Sequence, residues 1–128
     1  MKNRAAVASG ITADLLLEVF DLPVSFHRCL VPIAGGVTAA LMLSHAICVA
    51  QQIDSAADGW FSKSQDERTE DTGLTASEQA TARRDLRNAG LLEERRAGLP
   101  AKLWFRVRSA EVWQSLTAHA HNAAAGPR

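Results

Sequence analysis

The chain has 128 residues, of which 47% are hydrophobic and 22% charged, and its formal net charge is zero. That is the size and make-up of one ordinary globular domain, and a neutral total excludes a chain that coats nucleic acid or an anionic surface by bulk charge alone. Two cysteines are too few for a disulfide framework, which favours a reducing, cytoplasmic setting.

In chain order, residues 1–10 read as a frayed end; Lys2 and Arg4 are followed by no continuous apolar core, so a signal peptide is not expected. Residues 12–20 place Leu15, Leu16, Leu17 and Phe20 at near-helical spacing and predict a short helix that Pro23 ends. Residues 26–31 read as a short extended segment. Residues 36–53 are the longest predicted helix, apolar nearly all round, as a central core helix is. Residues 30–50 also have the length of a membrane span, but Pro32, Gly35, Gly36, Thr38, Ser44 and His45 interrupt it, and a turn followed by a buried helix is expected instead, with no membrane contact.

Asp58 and Gly59 make a turn, and Trp60 with Phe61 a short strand edge. Ser64 with Glu67 three residues on is a capping box, opening a helix over 64–72. Gly73 and Leu74 turn the chain; Thr75 with Glu78 is a second capping box, opening a helix over 75–89 that Gly90 stops. Residues 91–96 and 102–108 predict two strands around Ala97-Gly98-Leu99-Pro100. In the second, Leu103, Phe105 and Val107 alternate with Trp104, Arg106 and Arg108, so one face belongs on a core and the other is basic. A last helix over 109–118 has Val112, Trp113 and Leu116 on one side, and 119–128 reads as a disordered tail.

From residue 36 onward the order is helix, strand, helix, helix, strand, strand, helix. It describes a mostly α protein with a small antiparallel sheet of three strands: a winged helix–turn–helix, α-β-α-α-β-β-α, with an extra N-terminal helix. The expected organisation is an N-terminal extension over 1–25, a winged-helix domain over 26–118, and the tail.

Residues 59–107 resemble the winged-helix domains of phage, plasmid and mobile-element replication proteins and related small DNA-binding regulators. The resemblance rests on Gly59, Trp60, Phe61, Lys63, Ser64, Thr72, Gly73, Leu74, Gln79, Thr81, Ala82, Arg83, Leu86, Gly90, Leu91, Gly98, Pro100, Ala101 and Phe105, with Ala39-Ala40-Leu41-Met42-Leu43-Ser44 similar to the same family's first helix. It spans roughly residues 26–108. The chain departs from the pattern at Ala46-Ile47-Cys48-Val49, where aromatics are expected, and at Ala80, where a charge is common. No ATPase motif is present. The resemblance implies duplex DNA as partner, in transcription regulation or in replication.

The charge distribution agrees with that implication. From Thr75 to Arg108 eight basic residues face four acids, whereas from Asp58 to Thr72 five acids face two bases; such asymmetry points to one basic face. On the second helix of the pair, Gln79, Ala82, Arg83, Leu86 and Ala89 share one stripe. Ala82, Leu86 and Ala89 suit a core, while Arg83 suits snorkelling or pairing with an acid. The opposite face carries Ser77, Ala80, Thr81, Arg84 and Asn88, types that suit phosphate and base-edge contacts. The expected DNA-binding residues are Ser77, Thr81, Arg84 and Arg87 on that helix, with Arg95, Arg96 and Lys102 on the wing. Trp104 is expected to pack on Trp60 or on a partner chain. An ordinary solvated hairpin and surface ion pairs are the plain alternatives for these charges.

His27 with Cys29 and His45 with Cys48 are considered as a zinc set. No close-spaced cysteine motif supports it, so buried cysteines and satisfied histidines are the expectation, with no metal and no cofactor. No glycine-rich phosphate loop, nucleophile elbow or paired-carboxylate pattern is present, and no enzyme is expected. The reading is duplex DNA binding by a homodimer joined through Leu15, Leu16, Leu17 and Phe20 and through Val112, Trp113 and Leu116. A winged-helix adaptor that binds protein and little or no DNA stays open beside it.

Overall fold

The computed structural model describes residues 10–53 and 57–125. Six helices and one hairpin follow in order: α1 (Ala13–Val19), a single 3-10 turn (Arg28–Leu30), α2 (Val31–Ala34), α3 (Val37–Gln52), α4 (Gln65–Thr72), α5 (Ala76–Asn88), β1 (Leu92–Ala97), β2 (Lys102–Val107) and α6 (Ser109–Ala125). It is a winged-helix-like arrangement, mostly α with a small antiparallel sheet.

Helix α3 is the centre. It packs on α5, on α2 and on β2, and Ala39, Ala40 and Ala46 supply the small side chains that let Ala82 and Leu86 of α5 approach closely. Leu43, Leu86, Leu91 and Phe105 fill the space between helices and hairpin, each with no more than 1% of its surface exposed.

The hairpin pairs Leu92 with Val107, Glu94 with Phe105 and Arg96 with Leu103 on the face that meets the core, and Glu93 with Arg106 and Arg95 with Trp104 on the other. The alternation of Leu103, Phe105 and Val107 therefore sets the register as expected. The third strand is reduced to one bridge: Phe61 N–H donates to the Phe105 carbonyl at 2.9 Å and Phe105 N–H to the Phe61 carbonyl at 2.7 Å, with the rings 5.7 Å apart. The turn before it runs through Asp58 and Gly59, both at positive φ. A Cβ on Gly59 would lie 3.3 Å from Arg106 Cγ, so backbone and packing both call for glycine there.

Four expectations are corrected. Residues 28–31, expected as the end of an extended segment, are helical, a 3-10 turn that runs into α2: Pro32 sits in the first turn of α2, where its fixed φ and missing N–H suit a helix start. The last helix runs to Ala125, because the alanine-rich segment beyond Ala118 has high helix propensity, and it is one residue longer than α3; residues 126–128 of the expected tail lie outside the described residues. Ala89 is exposed at the end of α5 rather than in the core. Cys29 and Cys48 are exposed rather than buried.

Among the described residues no single helix is long and apolar enough to cross a membrane; the segments 28–34 and 37–52 would have the length only together, and they meet at 114°.

Candidate nucleic-acid interface

The helix–turn–helix is α4, the turn at Gly73 and Leu74, and α5. Both helices start in complete capping boxes. Ser64 Oγ accepts from Glu67 N–H while Ser64 N–H donates to Glu67 Oε1, and Thr75 with Glu78 repeats the arrangement. The Ser64 bonds hold the Glu67 carboxyl below its ordinary range.

What binds α4 to α5 is polar. Gln79 is 1% exposed, and its Nε2 donates to Thr69 Oγ1 at 2.8 Å and to the Leu74 carbonyl at 3.1 Å. Its Oε1 accepts from Arg68 Nε at 2.8 Å. Arg68, 5% exposed, also donates to the Lys63 carbonyl and lies over the Phe105 ring at 5.0 Å. Burial first, and the charge of Arg83 second, depress its pKa.

A second group of charges ties α5 to the wing. Arg83 forms a two-bond fork on Glu94, Nε and Nη2 each at 2.8 Å, and Arg87 Nη1 reaches the same carboxylate at 2.9 Å. Burial alone would raise the Glu94 carboxyl, but the bonds and charges of the two arginines outweigh it and hold the group below its ordinary range. Arg83 thus pairs with an acid, one of the two outcomes its place on the stripe suggests.

Ser77, Thr81 and Arg84 lie exposed on α5, opposite the buried Gln79, Ala82 and Leu86. Arg84 meets only Asp85, at 3.4 Å. Arg87 is half occupied by Glu94. Arg95 is held over the Trp60 ring at 4.3 Å, with Arg106 over the same ring at 4.9 Å; Trp60 thus carries guanidinium groups, and the expected Trp60–Trp104 ring contact does not form. Arg106 is fixed further by Glu93 and Asp58, each at 2.9 Å. Among the described residues Arg96 and Lys102 form no ion pair.

Two grooves organise these charges. One, of about 310 Å³, brings together Arg83, Arg87, Arg95 and Arg96 between α5 and the wing. The other, of about 450 Å³, runs between the wing and the start of α4, with Lys63, Arg68, Arg83, Arg96 and Lys102 in its walls. Ser77, Thr81 and Arg84 line neither groove. The sequence reading missed Lys63, Arg68 and Glu94. Lys63 and Arg68 fall in the acid-rich stretch, where a cation reads as surface charge, and no local pattern marks Glu94 as the partner of two arginines. Among the described residues no three His, Cys, Asp or Glu side chains could hold a metal. His45 instead joins α3 to α4 through Asp71 at 2.9 Å.

No protein-family model matches this sequence, and no curated protein matches it. A solved structure described as the N-terminal domain of a DNA binding protein is similar in fold, with a TM-score of 0.50 over 91% of this chain and 97% of that one, at 11% identity.

Proposed function

We propose that this chain is a binding protein for double-stranded DNA that reads the duplex with α5 and holds its backbone with the β1–β2 wing. The observation that carries the reading is the pair of basic grooves against the wing, to which α5 contributes Arg83 and Arg87, together with the exposed face of the same helix. Ser77, Thr81 and Arg84 have no core duty there, and Arg96 and Lys102 stand without acidic partners. Arg87 and Arg95 complete the set from the edge of the α5 groove. The structural neighbour, a domain of a DNA binding protein, supports the same reading. Transcription regulation or replication of a mobile element, in the cytoplasm, is the context proposed.

The protein acts as a homodimer in this proposal. Ile11, Leu15, Leu16, Leu17, Val19, Phe20, Leu22 and Val24 each keep 40–93% of their surface exposed, and Trp113 on α6 keeps 67%; Val112, expected on the same interface, is instead in the core, with Leu116 packed against it, because their side of α6 faces the domain. A standard interface covers about 800 Å² on each partner, and nine such side chains supply area of that order. A two-fold partner presents the same patch in return.

A mobility-shift titration with random duplex at two salt concentrations tests the DNA reading. Binding that weakens steeply with salt is expected, because each neutralised phosphate releases counterions. Absence of a shift even at low salt overturns it and leaves the protein-binding adaptor. Sedimentation equilibrium tests the dimer, and a monomer at high micromolar concentration overturns that part.

A further inference from the structure

We infer that the groove between the wing and the start of α4 is a seat for the sugar–phosphate backbone of the duplex, holding a phosphodiester between Arg96 and Lys102; this rests on the DNA reading above. The groove has a volume of about 450 Å³, and its walls come from the loop before α4, from α4, from α5 and from both strands of the wing.

Five of its wall residues are cations and one, Glu67, is an acid. That acid is already engaged: Glu67 Oε1 accepts the Ser64 N–H at 2.8 Å. The cations divide by how they are held. Arg83 is neutralised by Glu94 and Lys63 by Asp71, at 2.6 Å. Arg68 is buried, and the partners of its Nε and Nη1 are an amide oxygen and a carbonyl, so its charge is matched by no carboxylate at hydrogen-bond distance. Arg96 and Lys102 are exposed and unpaired.

The groove thus combines one buried cation with no carboxylate at hydrogen-bond distance and two exposed ones that form no ion pair among the described residues. An anion placed there meets the two exposed groups directly and offsets the repulsion between Arg68 and Arg83, which lie over the same Phe105 ring at 5.0 and 5.8 Å. Guanidinium and ammonium donors from different elements suit the two non-bridging oxygens of a phosphodiester.

The test is the salt dependence of random-duplex binding by the full chain, followed by fluorescence anisotropy. The double variant Arg96→Gln/Lys102→Gln should flatten the slope of log K against log salt by about one unit for each phosphate that the protein no longer neutralises. Arg96→Gln and Lys102→Gln singly should each flatten it by less than the pair. Arg108→Gln, which like each single variant removes one charge but lies outside the groove, where Arg108 pairs with Glu111, should leave the slope unchanged. Circular dichroism melts show that each variant is folded. If wild type binds with a steep slope and the groove variants match Arg108→Gln, the seat is overturned and the DNA reading stands. If wild type binds no duplex at low salt, both fail.

Discussion

Helices α1 and α4 are nearly equal in length, at seven and eight residues, and opposite in chemistry. Helix α1 reads ADLLLEV and buries no residue; α4 reads QDERTEDT, has no apolar side chain larger than the threonine methyl, and buries Arg68 and Thr72. Hydrophobic content alone would have ordered them the other way. Helix α4 is held because every buried polar group on it has a partner: Thr72 Oγ1 donates to the Arg68 carbonyl at 2.6 Å and accepts from Leu74 N–H at 3.1 Å, while Gln79 closes the network from α5. Helix α1 has apolar surface that no other described residue buries. One helix is complete within the described domain, and the other is completed by a second copy in the proposal above.

The largest effect expected from breaking this contrast is at Gln79. Gln79→Ala leaves the buried Arg68 Nε without its acceptor and removes the Gln79 Nε2 donor from Thr69 Oγ1 and from the Leu74 carbonyl, which keeps only the Thr69 hydroxyl. A loss of about 3 kcal/mol is expected in urea unfolding, since each orphaned buried group costs about 1–3 kcal/mol and the groups act as a network. A loss below about 1 kcal/mol would mean that water or a shifted side chain substitutes readily, and that the network is not what holds α4.

Next is Glu94, the link between α5 and the wing. Glu94→Gln keeps the shape and removes the charge that Arg83 and Arg87 share. A cost of about 2 kcal/mol is expected at neutral pH, less than for a fully buried pair because both arginines keep contact with solvent. The pH dependence gives a second reading. The folded Glu94 carboxyl titrates below its ordinary value, so its contribution is full above the unfolded pKa, near 4.3, and is lost as pH falls through the folded value. Asp71, lowered by Lys63 and then His45, acts in the same direction and persists in the variant. The variant should therefore lose less stability on acidification than wild type, and equal losses would show that Glu94 is not ionically coupled.

Smaller again are the caps. Ser64→Ala and Thr75→Ala should each cost about 1 kcal/mol in thermal or urea unfolding. If Ser64→Ala costs clearly more, α4 depends on its cap as well as on Gln79, as a helix without apolar anchors would.

These elements also show where sequence reading succeeds. Both capping boxes, the Gly73 turn and the alternation from Leu103 to Val107 are local patterns, and each was legible. The helical start at residues 28–31 was not, because the short segment from Phe26 to Val31 carries no capping side chain and Pro32, just beyond it, marks the helix start. Ser77, Thr81 and Arg84 were legible as an exposed face because helical periodicity sets it. The groove was not, because Lys63, Arg68, Arg83 and Arg96 lie on separate segments and long-range ties, the Phe61–Phe105 bridge and the Ser62 hydroxyl bond to the Leu103 carbonyl, bring the loop before α4 alongside the wing.

The smallest effect on the isolated domain is expected at α1. Leu16→Ser with Leu17→Ser exposes no new cavity, since neither residue is buried, and should change the stability of dilute, monomeric protein by less than about 0.5 kcal/mol. In wild type, unfolding should become harder as protein concentration rises, because association stabilises only the folded form. The double variant should lose that concentration dependence and sediment as a monomer. The outcome that breaks the comparison is a variant destabilised equally at every concentration: α1 would then be packed within its own chain, and its apolar residues would be core rather than interface. A seven-residue helix is too short to persist in water by itself, so hydrogen exchange at α1 that slows with concentration in wild type, and not in the variant, would show that the second copy holds it.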